Sequence, residues 1–208
     1  MRVYVARHGE TTWNREGRYQ GRRESELTGL GERQAAALAG AMAPHALSHV
    51  VTSPLGRCRL TGAPSAEAVH AALTVDDELI EIAHGTWEGR LRDEIAANDP
   101  VRYRAWREDP ANVSFEGGES VRDVAQRWSR FAAAFAPAGP ALVVTHDAVA
   151  RVALCAAQGL GLDAFWKVRA INGGFAVYNV DDGRWTLVEE LVDAHLDGLR
   201  ADHERQAL

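Results

Sequence analysis

The segment Arg7-His8-Gly9-Glu10-Thr11-Thr12-Trp13-Asn14 directly follows a short apolar run at residues 3–6. The apolar run predicts a buried strand, so the cation, the imidazole and the glycine come where that strand leads into a loop. A guanidinium offers a planar fork of donors to phosphate oxygens. A neutral imidazole is a nucleophile near pH 7, and glycine lets the backbone approach a ligand closely. The segment therefore favours phosphate chemistry at the end of the first strand.

The composition limits the class of protein and its partners. The chain has 208 residues, 46% of them hydrophobic, and a net charge of -6, which argues against nucleic acid as a partner. The two cysteines, Cys58 and Cys155, indicate a reducing compartment and are interpreted as core residues. No long apolar span predicts a membrane helix, and the early strand leaves no room for a signal peptide, so we expect a cytoplasmic protein without membrane partners.

Predicted strands and helices alternate at both ends of the chain. The spacing of apolar residues predicts strands at 3–6, 49–52, 73–75, 141–145, 175–179 and 185–188. It predicts helices at 28–42, from Ser53-Pro54 onward, at 121–135 and at 148–157. Residues 90–115 are rich in arginine and aromatic residues and predict a helical insertion, and the tail from Glu189 is interpreted as an exposed helix.

This alternation predicts an α/β fold, a three-layer αβα sandwich with a mostly parallel central sheet. We interpret residues 1–208 as a single domain, with a helical lid at about 90–115 over the site. Sites in such sheets form beyond the carboxyl ends of strands. One predicted strand ends at Arg7-His8 and another at His146, so the two imidazoles converge if those strands are neighbours. Arg57, in the first turn of a predicted helix, adds a second guanidinium.

Two arginines and two histidines around one point would hold a phosphoryl group. The leaving alkoxide then needs a proton donor, and Glu81 is the candidate, although Glu78 and Glu88 compete with it on composition alone. Other phosphate machinery is missing from the sequence: it has no Gly-rich loop ending in Lys-Ser or Lys-Thr, no thiol phosphatase loop and no histidines at metal spacing. A metal-free mechanism through phosphohistidine remains.

These motifs resemble the histidine phosphatase superfamily, the phosphoglycerate mutase-like fold, nearly from end to end. The resemblance lies in Arg7-His8-Gly9-Glu10-Thr11, Asn14, Gln20-Gly21, Leu27-Thr28 to Gly31, Gln34-Ala35, Ser53-Pro54-Leu55 with Arg57 and Thr61, Leu79 to Gly89, Gly117-Gly118-Glu119-Ser120, and Val143 to His146. A single Arg-His-Gly match is weak evidence, whereas several motifs in the right order make chance a poor explanation.

The resemblance implies a role for each matching residue. It implies that His8 attacks phosphorus and that Glu81 first protonates the leaving oxygen and then activates water. It implies that Arg7, Arg57, His146 and Asn14 hold the phosphate, that Glu88 supports structure, and that neither a metal nor a cofactor takes part. The predicted substrate pocket adds Gln20, Gly21, Arg22 and Trp106.

One departure concerns the residue after the second histidine, which is usually glycine in the family and is Asp147 here. We expect its carboxylate to point away from phosphate or to pair with a cation such as Arg151.

The compact segment from Glu81 to Gly118 favours water as the second acceptor. The predicted function is therefore a phosphomonoesterase acting on a small phosphorylated metabolite. A cofactor-dependent phosphoglycerate mutase and a weakly active phospho-ligand-binding module are the alternatives. A binding module of this kind is expected to lack at least one of four residues, His8, Arg57, Glu81 and His146. All four are present. The oligomeric state stays open, with a homodimer as one option.

Overall fold

A computed structural model describes residues 1–202 and 206–207. In chain order its strands and helices are β1 (Arg2–Arg7), α1 (Thr12–Glu16), α2 (Gly29–Met42), β2 (His49–Thr52), α3 (Gly56–Val69), β3 (Ala72–Val75), α4 (Arg92–Asn98), α5 (Pro100–Glu108), α6 (Val121–Ala134), β4 (Ala141–Thr145), α7 (Asp147–Gln158), β5 (Phe175–Asp181) and β6 (Arg184–Val192).

The strands form one six-stranded sheet in the order β3-β2-β4-β1-β5-β6. The first four of these strands are parallel, and β5 and β6 add an antiparallel hairpin at the other edge. The predicted mostly parallel sheet is therefore confirmed. Because β1 lies directly beside β4, the loops that carry His8 and His146 leave the same edge of the sheet side by side.

Both faces of the sheet are covered, as strand periodicity requires when successive side chains point to opposite sides. Tyr4 and Ala6 of β1 pack with the apolar faces of α2 and α3. Val3 and Val5 of the same strand join a larger core formed with α6, α7 and the aromatic residues of the insertion. The three-layer αβα sandwich predicted from the sequence is confirmed by this arrangement.

The prediction that the tail from Glu189 forms an exposed helix is wrong. Strand β6 continues to Val192, and only a short 3-10 turn, Ala194–Leu196, follows in residues 193–202. Pairing with β5 satisfies the backbone of residues 189–192.

The predicted start of the second long helix at Ser53-Pro54 is also displaced. Helix α3 begins at Gly56, and its N-cap residue is Leu55. The Ser53 hydroxyl does not cap the helix and lies 2.7 Å from Nε2 of His146. Arg57 still falls in the first turn, as predicted.

Helices α4 and α5 fill the segment predicted as a helical insertion, and Trp106 of α5 is buried against the main body. The interpretation of the chain as one domain with a lid stays a prediction. In residues 1–202 and 206–207, no helix combines the length and the apolar character needed to cross a bilayer.

Candidate active site

The two histidines predicted to converge lie next to each other at the carboxyl end of the sheet. The ring centroids of His8 and His146 are 5.2 Å apart, in an edge-to-face arrangement. The backbone N–H of His8 donates to the carbonyl of Thr145 at 2.9 Å, which ties the two loops together. The strand order β4-β1 produces this proximity, because parallel neighbours in register end at the same level.

The environment of His8 selects one tautomer and one charge state. Its Nδ1 lies 2.7 Å from the carbonyl oxygen of Gly9, and because a carbonyl only accepts, Nδ1 carries the proton. The other ring nitrogen, Nε2, therefore presents its lone pair. Burial holds the pKa of His8 well below its usual value, and the charges of Arg57 and Arg7 lower it further. His8 is thus a neutral imidazole with its lone pair on Nε2.

Gly9 also packs closely against the start of α2. A Cβ atom at Gly9 would lie 2.5 Å from the carbonyl oxygen of Gly31, at the start of α2. The glycine therefore permits a close approach between this loop and α2, and its N–H is held by the hydroxyl of Thr61 at 3.0 Å. This contact fixes the loop that carries His8.

The guanidinium groups of Arg7 and Arg57 are both buried, and each is held by its terminal nitrogens. Arg57 donates from Nη1 to the carbonyl of Arg23 at 2.9 Å and from Nη2 to that of Gly21 at 2.8 Å. Arg7 donates from Nη1 to Asp147 and to the carbonyl of Ala170, each at 3.0 Å. Among the described residues, neither Nε has a hydrogen-bond partner. Two buried charged donors are thus available to an anion.

Asp147 pairs with two cations, as its position after His146 led us to expect. One carboxylate oxygen accepts from Arg7 at 3.0 Å, and the other accepts from Nε of Arg151 at 2.6 Å. The same carboxylate begins α7, where negative charge is favourable near the free N–H groups of the helix. Asp147 therefore orients Arg7.

Glu81 lies in the same cavity as His8, while the competing acids lie elsewhere. Its Oε1 accepts from the N–H groups of Ile82 at 2.9 Å and of Ala148 at 3.3 Å. Burial and the neighbouring charge of Asp147 raise the pKa of Glu81 to about 7, against the opposing effects of the Ile82 N–H and the two arginines. A carboxyl group with this pKa holds a proton to donate near neutral pH.

The two competing acids have structural partners. Glu78 forms a surface pair with Arg130 at 2.7 Å. Glu88 accepts from the N–H of His84 at 3.0 Å and from that of Arg22 at 3.2 Å, which supports the loop around Glu81.

These groups line one pocket that is partly open to solvent, and each residue that lines it is itself buried. The lining contains the predicted Arg7, His8, Asn14, Gln20, Gly21, Arg57, Glu81, Trp106 and Asp147, together with Ile82, His84, Ala148, Phe165 and Ala207. His146 is not in this lining but contacts the ring of His8 at its edge. Burial, Arg57 and His8 lower the pKa of His146, so its imidazole is neutral as well.

The placement of Arg22 in the substrate pocket stays a prediction. Its guanidinium pairs with Glu119 at 2.8 Å, and Arg22 is absent from the cavity lining. Its Nε also donates to the carbonyl of Glu81 at 3.4 Å, so the side chain lies along the Glu81 loop.

A family model described as the histidine phosphatase superfamily (branch 1) matches residues 3–192. The chain belongs to this superfamily. The resemblance stated from the motifs is therefore confirmed, and so, at the level of the family, is the prediction of a phosphoric monoester hydrolase.

Relatives of this histidine phosphatase carry both phosphatase and mutase names. It is 33% identical over 199 residues to phosphoserine phosphatase 1 of Hydrogenobacter thermophilus, with 94% of each chain covered. It is 31% identical over 214 residues to the probable phosphoglycerate mutase GpmB of Klebsiella pneumoniae, covering 97% of this chain and 98% of that protein. Among solved structures, Bacillus stearothermophilus YhfR matches with a TM-score of 0.86 at 30% identity, covering 94% of this chain and 98% of the other.

Three buried residues of this histidine phosphatase were missed by the sequence analysis as parts of the site. His84 is 4% exposed and lines the cavity, yet neither ring nitrogen has a hydrogen-bond partner among the described residues. Asn172 donates to the carbonyl of His8 at 3.1 Å, and Gln206 accepts from Arg7 at 2.6 Å. His84 lies within the Leu79 to Gly89 motif, so the sequence pointed to it, whereas Asn172 and Gln206 lie outside every motif.

The described residues show no group of three or more His, Cys, Asp or Glu side chains placed to hold a metal ion. Cys58 and Cys155 are both buried and free, in agreement with their interpretation as core residues. Burial raises the pKa of the Cys58 thiol, which keeps it protonated beside His146.

Proposed function

We propose that this chain is a metal-independent phosphomonoesterase that hydrolyses a small phosphorylated metabolite through a phosphohistidine intermediate. The observation that carries the proposal is the pairing, in one pocket, of a neutral His8 with a protonatable Glu81. These two groups are the nucleophile and the acid that a two-step phosphoryl transfer needs.

In the first step, Nε2 of His8 bonds to phosphorus while the bond from phosphorus to the ester oxygen breaks. The Glu81 carboxyl gives its proton to that leaving oxygen. The Nε atoms of Arg7 and Arg57 donate to the non-bridging oxygens, and their charge stabilises the transition state. The amide nitrogen of Asn14 donates to the same phosphate oxygens, because its Oδ1 already accepts from the N–H of Thr11 at 3.1 Å.

In the second step, the Glu81 carboxylate takes a proton from water as the water oxygen bonds to phosphorus. The bond from phosphorus to Nε2 breaks, inorganic phosphate leaves, and both residues return to their starting states. The Gly9 carbonyl holds the Nδ1 proton throughout and stabilises the positive charge of the phosphorylated ring.

Phosphoglycerate mutase activity is the second candidate, favoured by the similarity to the probable mutase of Klebsiella pneumoniae. The two reactions differ in product, because a phosphatase releases inorganic phosphate whereas a mutase returns an isomer and needs a bisphosphate primer. The similarity to a phosphoserine phosphatase makes O-phosphoserine the first compound to test.

The test is a phosphate-release assay with O-phosphoserine, phosphoglycerates and sugar phosphates, run with and without EDTA. We expect phosphate release that survives the chelator, and an acid-labile phosphoenzyme when the reaction is quenched in alkali. His8→Ala should abolish both, with His45→Ala, a change at an exposed position, as the control. A phosphoenzyme that persists in His8→Ala would overturn the assignment of the nucleophile, and loss of activity with EDTA would overturn metal independence.

A further inference from the structure

The segment that carries Glu81 is held in place by side chains from outside the active-site pocket. Residues 80–84 have no regular secondary structure, and a short 3-10 turn lies on either side of them. Hydrogen bonds within a helix or a strand therefore do not fix the backbone beside this carboxyl group. The proposed acid must nonetheless keep its distance from the reacting atoms, because proton donation depends on hydrogen-bond geometry.

An ion pair between Glu119 and Arg127 is the main support of this segment. Nε and Nη2 of Arg127 donate to the two carboxylate oxygens of Glu119, at 3.0 and 3.1 Å. The same guanidinium donates from Nη1 to the carbonyl of Glu78 at 2.7 Å, and the Glu119 carboxylate accepts from the N–H of Ala83 at 3.1 Å. One ion pair thus binds the backbone on both sides of Glu81.

Arg22 adds a contact with Glu81 itself. Its Nη2 lies 2.8 Å from Oε1 of Glu119, and its Nε donates to the carbonyl of Glu81 at 3.4 Å. The backbone carbonyls of the two residues that flank Arg22 accept from the guanidinium of Arg57, at 2.8 and 2.9 Å. The loop that carries Arg22 therefore contacts the proposed acid on one side and a proposed phosphate-binding cation on the other.

The backbone around Glu119 also lies directly against the segment that carries Glu81. The N–H of Glu119 donates to the carbonyl of Ala83 at 2.8 Å. A Cβ atom at Gly118 would lie 2.2 Å from that carbonyl oxygen, so glycine permits this close approach. Glu119 is therefore fixed to the acid segment by its backbone as well as by its charge.

We propose that Glu119 is a positioning residue for Glu81, and that Arg22 and Arg127 complete a network that directs the Glu81 carboxyl group at the leaving oxygen. The proposal rests on the proposed function, since it takes Glu81 to be the acid. The three residues lie outside the lining of the pocket, so their effect on the rate passes through the segment that carries Glu81.

The experiment compares wild type with Glu119→Gln, which keeps the shape of the side chain and removes its charge. The matched control is Glu78→Gln, because Glu78 forms a surface pair with Arg130 of the same helix, α6, at 2.7 Å. The value of kcat is measured with an alkyl phosphate and with p-nitrophenyl phosphate. Amide hydrogen exchange at Ile82 and Ala83 measures the order of the segment without turnover, and circular dichroism confirms that each variant is folded.

In Glu119→Gln we expect kcat for the alkyl phosphate to fall about tenfold, because a displaced acid transfers its proton more slowly. The kcat for p-nitrophenyl phosphate should fall by less than about threefold, since its leaving oxygen needs no proton. The amides of Ile82 and Ala83 should exchange about tenfold faster than in wild type. The control Glu78→Gln should match wild type in every measurement.

A double variant shows whether the effect passes through Glu81. In a Glu81→Gln background the proton donor is already absent, so adding Glu119→Gln should cause no further loss of kcat for the alkyl phosphate. A merely structural role would lower kcat for both substrates together and would add its loss to that of Glu81→Gln. Either result would overturn the proposal, and so would amide exchange in Glu119→Gln that matched Glu78→Gln.

Arg22→Met tests the exposed end of the network, where the side chain is 40% exposed. Glu119 keeps Arg127 as its partner in this variant, so we expect a smaller selective loss, about threefold in kcat for the alkyl phosphate, with KM unchanged. A raised KM with an unchanged kcat would show that Arg22 contacts the substrate, and would overturn its positioning role. Should Glu119→Gln fail to fold, Arg22→Met decides.

Failure of this proposal is distinguishable from failure of the proposed function. The exchange measurement needs no turnover, and the acid role itself is tested by Glu81→Gln alone. An enzyme that shows the acid role in Glu81→Gln but no selective loss in Glu119→Gln would overturn only the positioning role.

Discussion

At the residue scale, one physical cause prepares both partners of the proposed proton and phosphoryl transfers. Burial disfavours the charged form of any titratable group, so it lowers the pKa of a histidine and raises that of a glutamate. His8 is kept neutral with a free lone pair, and Glu81 has a pKa of about 7. The two arginines lower the pKa of both residues, so they reinforce the effect of burial at His8 and oppose it at Glu81.

Glu81→Gln tests the acid role at this scale. We expect kcat for alkyl phosphates to fall by about 10² to 10³, because their leaving oxygens need a proton, and kcat for p-nitrophenyl phosphate to fall by less than about tenfold. In wild type, kcat for an alkyl phosphate should decline as pH rises past about 7, where the Glu81 proton is lost. The variant should lack that decline, measured as steady-state rates across pH; equal losses with both substrates would count against proton donation.

At the scale of elements, the start of α7 sets the electrostatics of the site. Asp147 at this helix start bridges Arg7 and Arg151, and its charge contributes to the raised pKa of Glu81. Arg151 is fixed from its other side by the carbonyls of Phe165 and Val168. The start of α7 therefore carries a carboxylate, Asp147, where the family usually has glycine. Arg151 balances its charge.

Asp147→Asn should separate these effects. Removing the carboxylate lowers the pKa of Glu81, so the high-pH decline in kcat should move to lower pH. Leaving Arg7 and Arg151 without a buried counter-charge should cost about 3 kcal/mol in the free energy of unfolding, measured with urea. Asp163→Asn, which alters an exposed pair with Lys167 at 3.9 Å, is the matched control. An unmoved pH profile would show that Asp147 does not act on Glu81.

At the scale of the whole molecule, the site buries several imidazoles in their neutral form. The pKa of His84 falls to about 3 because of burial, and burial also depresses the pKa values of His8 and His146. In the unfolded chain each histidine has a pKa of about 6.5, whereas in the folded chain its pKa is lower and the ring stays unprotonated at that pH. The unfolded state thus holds more protons below that pH, and stability must fall as the pH falls.

The contribution of His84 to this acid sensitivity is measurable. Each such histidine adds about 1.4 kcal/mol per pH unit to the slope of unfolding free energy below pH 6.5. His84→Phe fits the surrounding rings of Tyr19, Trp106 and Phe115, and should reduce the slope between pH 6 and 4 by about that amount. His45→Phe, at an exposed position, is the control for denaturant titrations at several pH values. An unchanged slope in His84→Phe would contradict the buried neutral assignment.

Much of the fold was predictable because its signals are local. The strand predictions at 49–52 and 141–145 coincide with β2 and β4, and the Thr28 cap begins α2 as expected. The prediction of a helix from Glu189 failed because a short amphipathic segment has no decisive period. Its strand conformation comes from pairing with β5, which is a tertiary contact. The prediction that Ser53 caps a helix failed because its hydroxyl binds His146, which is distant in sequence.

The sequence by itself determined the types of group in the site and their positions at strand ends, because strand periodicity and motif order are properties of the chain. Only the tertiary structure decided the tautomer of His8, the pKa of Glu81 and the pairing of Asp147 with Arg7. It alone brought Gln206 to Arg7, 199 residues away in sequence. The physical reason is that burial and hydrogen bonding depend on neighbours in space, which strand order and chain folding select.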